Sequence, residues 1–224
     1  MPEARNPIDS IATYFEDDYG PSPPVVILNG LGDPIAASRR WGVAKALGTS
    51  HRLVFIDHRG QGGSDKPHDV GAYASHFRVA DVISVLDELD ISRAHFIGAS
   101  WGARLLFALG EQVPKRALSL TMGGQSPFAM DRESPGVAMV TKAFANGCSM
   151  EDFYQALGGF GDLDLVVQQE ALANDFDALK AAWSCAMAEE AVAMNLAAWR
   201  LPSLVYAGTE DHDFIVRAGY TSTR

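Results

Sequence analysis

The feature that most constrains the fold is an apolar run that leads, through a turn with two glycines, directly into a helix-forming segment. The run covers 94–98, the turn reads Gly-Ala-Ser-Trp-Gly at 98–102, and residues 101–112 have a helical composition. A strand, a sharp turn and a helix in this order are typical of parallel sheets covered by helices. We therefore expect an α/β protein.

The same rhythm continues along the chain, with helix candidates between the apolar runs. The helix candidates are 36–48, 76–89 and 101–112. The last four strand candidates alternate little between apolar and polar residues, so we expect them to be buried on both faces. The fold class predicted is a doubly wound, mostly parallel sheet. The strand candidates are 11–16, 25–29, 53–57, 94–98, 118–122 and 203–207.

One long segment interrupts this rhythm. Residues 126–200 contain no convincing strand and are rich in Ala, Met and Leu, which favour helices. We predict a helical cap inserted at 126–200 into a core made of 1–125 and 201–224. A chain of 224 residues is long enough for one α/β domain with a full core.

Charge and composition exclude several classes of function. The net charge is −10, from 18 Lys and Arg against 28 Asp and Glu, and the basic residues form no cluster, so we expect neither nucleic-acid nor membrane binding. No signal peptide or apolar stretch of membrane-spanning length is visible, which predicts a cytoplasmic protein. No spacing typical of a metal site, a phosphate loop or a dinucleotide fingerprint occurs, so no cofactor or metal is expected.

The turn at 98–102 has the pattern Gly-x-Ser-x-Gly around Ser100. Small flanking residues let the backbone turn tightly, so the serine hydroxyl projects at a helix N-terminus. This arrangement is typical of a nucleophile elbow, in which the serine attacks a substrate carbonyl. The non-catalytic alternative is a glycine-rich turn whose serine only caps the helix.

Three further segments carry a resemblance to a known family. Residues 24–33 look like a strand followed by an oxyanion loop, residues 57–64 have the pattern Asp-x-Arg-Gly-x-Gly-x-Ser, and residues 204–211 look like the strand end that bears a catalytic acid. With the elbow, they make the chain resemble the α/β-hydrolase superfamily, in its serine esterase and lactonase-like branch. The resemblance covers 11–125 and 200–213, in the family's own order.

The resemblance implies a role for individual residues. Ser100 would be the nucleophile, and the backbone N–H groups of Leu31 and Trp101 would form the oxyanion hole, which leaves their side chains free to line an acyl pocket. Asp211 would be the acid that orients the catalytic base, with Asp213 as the fallback. A turn residue with no catalytic part is the alternative for Asp211.

Two departures from the family pattern bear on catalysis. Asn29 stands where the family more often has His, which alters the hydrogen bonds of the loop without removing the donors. The family places its catalytic His after the acid, and here only His212 follows Asp211. A histidine adjacent to the acid cannot ordinarily donate a hydrogen bond to that carboxylate and also reach the serine. We therefore expect the general base to be missing, and the isolated chain to be a weak esterase.

Two classes of function remain open at this point. The first is a serine hydrolase that cleaves a small-molecule carboxylic ester or lactone through an acyl-enzyme; a serine at 100 argues against the epoxide-hydrolase and dehalogenase branches, which use a carboxylate there. The second is a truncated or impaired protein that serves as a small-molecule binding module. A homo-oligomer is also possible, in which a second copy contributes the missing histidine.

Overall fold

The computed structural model describes residues 2–21, 23–145, 147, 149–156, 164–193 and 196–209. Seven strands in this part of the chain form one sheet in the order β1-β2-β4-β3-β5-β6-β7. β1 and β2 run antiparallel to their neighbours, and all other pairs are parallel. The strands are β1 Glu3–Arg5, β2 Ala12–Asp17, β3 Val25–Leu28, β4 Leu53–Ile56, β5 Ala94–Ala99, β6 Ala117–Gly123 and β7 Ser203–Tyr206.

Helices cover both faces of this sheet, as the predicted doubly wound fold requires. The helices that precede the cap segment (126–200) are α1 Ile35–Ser38, α2 Gly42–Leu47, α3 Ser75–Glu88 and α4 Trp101–Gln112. On β3, Val26 and Leu28 pack in the same cluster as α3 and α4, whereas Val25 and Ile27 pack with α1 and α2. Alternate residues of a strand point to opposite faces, so the apolar run of β3 serves two cores.

The described residues of the cap segment form four α-helices and no strand: α5 Pro135–Ala145, α6 Met150–Ala156, α7 Leu165–Leu172 and α8 Phe176–Ala188. They build a third apolar cluster that includes Phe144, Phe153 and Trp183, and that also takes in Leu31 and Trp101 from the core. The cap segment therefore packs over the region that contains the predicted oxyanion residues.

Three sequence expectations about these elements were wrong. The helix predicted at 36–48 is two short helices, because Trp41 is extended between them and Arg39 turns away to bond Glu16 and Asp18. β1 was not predicted, since only Ala4 of its three residues is buried. β7 was expected to be buried on both faces, but only one of its four residues, Val205, is buried.

No helix within the described ranges is both long enough and apolar enough to pass through a bilayer.

Candidate active site

Ser100 is the single residue that links β5, which ends at Ala99, to α4, which begins at Trp101. Its backbone has φ 49° and ψ −110°, a conformation that residues with a side chain seldom adopt. The turn is held by two hydrogen bonds: the Ser100 N–H donates to the Gly123 carbonyl at 2.8 Å, and the Arg104 N–H donates to the Ser100 carbonyl at 3.0 Å. The exposed Ser100 side chain thus projects from the carboxyl end of the sheet.

Gly102, two residues after the serine, permits this sharp turn because it lets α4 pack closely against β3. A Cβ atom on Gly102 would lie 2.4 Å from the Leu28 carbonyl oxygen, a distance at which α4 would have to move away from β3. The start of α4 therefore rests directly against the end of the neighbouring strand. This places the positive end of a 12-residue helix next to Ser100.

The predicted oxyanion loop, residues 29–33, follows β3 and is fixed at its start. His58 Nε2 lies 3.0 Å from the Asn29 carbonyl oxygen, and the Asn29 side chain donates to the Asp33 carbonyl at 3.2 Å. Burial lowers the pKa of His58 to about 3, so this imidazole is neutral and carries its hydrogen on Nε2. The Asn29 side chain thus contributes a hydrogen bond within the loop.

The two predicted oxyanion donors remain available. In the part of the chain that is described, neither the Leu31 nor the Trp101 N–H has a hydrogen-bond acceptor. Both side chains are buried in the cluster formed with the cap segment, and the Arg78 guanidinium lies 3.9 Å from the centre of the Trp101 ring. Leu31 and Trp101 thus join the oxyanion loop and the start of α4 to the apolar cluster of the cap segment.

A carboxyl group that the sequence did not single out lies beside the serine. A Cβ on Gly30 would be 2.6 Å from Asp33 Oδ2 and 4.0 Å from Ser100 Cβ, so both side chains border the same small space. Burial raises the pKa of Asp33 to about 6, against the effect of a hydrogen bond from the Gly30 backbone. The charge of Asp33 thus changes near neutral pH.

The oxyanion loop is also bonded from two other directions. The Gly32 N–H donates to Gln61 Oε1 at 2.5 Å, and the Gly32 carbonyl accepts from Tyr154 Oη at 2.5 Å and from Asn174 Nδ2 at 2.7 Å. Asn174 Oδ1 accepts from the Gly62 N–H at 3.0 Å. Sequence reasoning missed Tyr154 and Asn174, because a lone Tyr in a helix and an Asn between two helices indicate packing and a turn.

The five described histidines have partners away from Ser100, and none of them forms a hydrogen bond with it. His58 holds the oxyanion loop, and His68 pairs with Asp175 at the surface. The partners of the other three are Ser50 for His51, the Phe77 ring for His76 and Ser119 for His95.

Asp211, His212 and Asp213 lie outside the described residues. The structure therefore brings Ser100 together with the Leu31 loop and Trp101, and the roles given to all of these residues stay predictions.

A groove of about 510 Å³ is separate from this site. Its lining includes Arg93, Lys115 and Pro202, which precede β5, β6 and β7, at the amino ends of parallel strands. Ser100 follows the carboxyl end of β5, at the opposite edge of the sheet. Ligands of open α/β sheets bind at the carboxyl edge, so the Ser100 edge is the candidate site.

Known proteins resemble this chain in sequence and in fold. Epoxide hydrolase A of Mycobacterium tuberculosis is 35% identical over 83 residues, which are 37% of this chain and 26% of that protein. The 2-hydroxy-6-oxo-2,4-heptadienoate hydrolase of Pseudomonas putida is 31% identical over 108 residues, 48% of this chain and 39% of that protein. The matches span well under half of these relatives' length.

Structural similarity extends further along the chain than sequence similarity. The enol-lactonase of Burkholderia xenovorans superposes with a TM-score of 0.76 at 23% identity, covering 93% of this chain and 81% of that one. The model of the alpha/beta hydrolase fold family matches residues 23–149, which is more than half of the chain and includes β3, β5 and α4. The chain therefore belongs to the α/β-hydrolase fold family.

Proposed function

We propose that this protein is a serine hydrolase that cleaves a small carboxylic ester or lactone through an acyl-enzyme. The observation that carries the proposal is the position of Ser100, on a strained turn at the start of α4 and beside the Gly30 region of the oxyanion loop. Family membership supports hydrolysis in general, and the serine supports this particular class because the epoxide-hydrolase branch uses a carboxylate at that position.

The proposed reaction has two steps. Ser100 Oγ bonds to the carbonyl carbon as its proton passes to a base, and the C–O bond breaks so that the alcohol leaves with a proton. Water then cleaves the acyl-enzyme, which releases the acid and restores Ser100. The Leu31 and Trp101 N–H groups would stabilise the oxyanion formed in each step, since both lack an acceptor among the described residues.

Esters and lactones with an apolar acyl group are the expected substrates. Leu31 and Trp101 present buried side chains that are shared with the cap cluster. In this proposal the same two residues supply both the oxyanion donors and an apolar wall for the acyl group. A short, uncharged acyl chain suits this wall better than an anionic one, because Asp33 carries negative charge above a pH of about 6.

Turnover of p-nitrophenyl acetate, p-nitrophenyl butyrate and a simple γ-lactone tests the proposal. We expect hydrolysis that Ser100→Ala reduces to the background rate. Unchanged turnover in this variant would remove Ser100 from the mechanism.

Covalent labelling separates a weak enzyme from a binding module. A fluorophosphonate should add its mass to the peptide that contains Ser100, even where turnover is slow for want of a base. Saturable ester binding without labelling or turnover would favour the binding module instead.

A further inference from the structure

The buried amide of Asn174 joins the cap segment to the oxyanion loop. Asn174 lies between α7 and α8, is 8% exposed, and contacts two loops that are far apart in sequence. Its Nδ2 donates to the Gly32 carbonyl at 2.7 Å, and its Oδ1 accepts from the Gly62 N–H at 3.0 Å. The orientation of the amide is determined by these partners, because a carbonyl requires a donor and an N–H requires an acceptor.

Gly32 depends on such external bonds. It has φ +83°, a conformation open to glycine, whose backbone has more alternatives than that of any other residue. Both of its peptide groups are occupied, the N–H by Gln61 and the carbonyl by Asn174 and Tyr154. The conformation next to Leu31 is therefore set by side chains that lie outside the loop.

Tyr154 reinforces the same contact. Its hydroxyl lies 2.5 Å from the Gly32 carbonyl oxygen and 3.1 Å from Asn174 Nδ2, and its side chain is buried. Hydrogen bonds among buried groups are costly to break, because a group left without a partner cannot turn to water. Separating the cap segment from the core would expose or unpair the Gly32 carbonyl.

We infer that Asn174, with Tyr154, is a positioning residue that couples the docking of the cap segment to the geometry of the oxyanion hole. When the cap segment is docked, Gly32 is fixed by its bonds to Asn174 and Tyr154, and the orientation of the adjoining Leu31 N–H is held with it. When it lifts, the loop loses its bonds to the cap segment and the donor is no longer held. The inference rests on the proposed role of Leu31, but the physical coupling does not require turnover.

Asn174→Asp tests the coupling most sharply. The aspartate keeps an acceptor for the Gly62 N–H but places a second oxygen against the Gly32 carbonyl. With p-nitrophenyl butyrate we expect kcat to fall about tenfold or more while KM changes less than about threefold, since the substrate's apolar wall stays in place. Tyr154→Phe, which removes only a hydroxyl, should fold normally and lower kcat to a smaller extent.

A matched control lies in the same segment. Thr141→Val removes the hydrogen bond from Trp183 Nε1 to Thr141 Oγ1 at 3.1 Å, which lies within the cap segment and involves neither Asn174 nor a hydrogen bond to the oxyanion loop. This variant should keep kcat. An equal loss of kcat in Thr141→Val and Asn174→Asp would show that only the stability of the cap segment matters, and would overturn the inference.

Backbone amide exchange in the full ¹⁵N-labelled chain gives a readout without catalysis. Exchange of the Gly32 amide should accelerate about tenfold or more in Asn174→Asp and in Tyr154→Phe, and the Leu31 amide resonance should move, with neither effect in Thr141→Val. Unchanged Leu31 and Gly32 amides in both site variants would refute the coupling. These changes in a protein without esterase activity would refute the proposed function and leave the coupling standing.

Discussion

At the scale of single residues, the backbone of Ser100 is the clearest departure from ordinary geometry. Its φ of 49° and ψ of −110° are held by the surrounding strand and helix, and strain of this kind typically costs about 1–3 kcal/mol. A catalytic serine at this position would therefore be retained at the expense of stability.

This predicts that Ser100→Gly is more stable than Ser100→Ala by about 1 kcal/mol. Glycine relieves the strain, whereas alanine keeps it, and neither variant has a nucleophile. Urea denaturation of both proteins measures the difference. Where alanine fits the backbone without strain it is the more stable of the two, so a Ser100→Ala protein more stable than Ser100→Gly would mean that the turn stores no strain.

Asp57 gives a stability that depends on pH. Burial raises its pKa to about 7, although the Gly63 N–H donates to its Oδ2 at 2.9 Å, while an unfolded aspartate has a pKa of about 3.9. Between these values the folded protein holds a proton that the unfolded chain has lost. The contribution of Asp57 to stability is therefore complete below about pH 4 and declines as the pH rises towards 7.

Replacing this residue should remove that decline. The unfolding free energy of the wild type, measured relative to that of Asp57→Asn, should fall by up to about 1.4 kcal/mol for each pH unit between pH 4 and 7. Chemical denaturation at several pH values gives the curve. A difference that is constant across this range would contradict the raised pKa.

At the scale of elements, a buried ion pair joins the turn after β4 to α3. Arg59 bonds both oxygens of Asp81, with its Nε 2.6 Å from Oδ2, and also reaches Asp9 at 2.7 Å. Asn6 donates to the same Asp81 carboxylate at 2.7 Å. The segment after β1, the turn and the helix therefore meet at one guanidinium.

We expect Arg59→Met to cost about 3–5 kcal/mol, because it leaves the Asp81 carboxylate buried without its cation. The double variant Arg59→Met/Asp81→Leu should recover much of this loss, since both charges are then absent. Thermal or urea unfolding of four proteins, the wild type, Arg59→Met, Asp81→Leu and the double variant, checks the order. A double variant as unstable as the sum of its parts would show that the pair has no coupling.

The sequence predicts an element well when the residues that define it lie within that element, and poorly when the element depends on contacts with distant residues. The buried strands β3 to β6 and helices α3 and α4 were predicted because each carries its own apolar pattern. β1 was not, since a three-residue edge strand with one buried residue has no such pattern. The break at Trp41 depends on Arg39 reaching acidic residues of β2 and the loop after it, a tertiary contact that local spacing does not contain.

The residues of the candidate site also differ in how far the sequence predicts them. Ser100, Leu31 and Trp101 belong to local motifs and could be identified from them. Asn174 and Asp33 could not, because the first acts across 142 positions of sequence to Gly32 and the second gains its raised pKa only from burial.

At the scale of the whole molecule, β7 presents an open edge within the described sheet. It pairs with β6 alone, and Leu204 and Tyr206 are 54% and 49% exposed. Unpaired backbone groups beside exposed apolar side chains are a common site for pairing with another chain.

We therefore predict a homodimer formed through this edge. Light scattering should give about twice the 24.1 kDa of one chain, and Leu204→Lys should shift the equilibrium towards the single chain. A mass of one chain over a wide range of concentrations would exclude this assembly.

The order of the strands also determines when the nascent chain can fold. β3 is bordered by β4 on one side and by β5 on the other, so its four apolar residues stay partly uncovered until the ribosome has released the chain through Ala99. The oxyanion loop has to wait longer, because its contact with Asn174 forms only after most of the chain has been synthesised. During translation, the apolar residues of β3 therefore remain without one of their two neighbouring strands until β5 has been made.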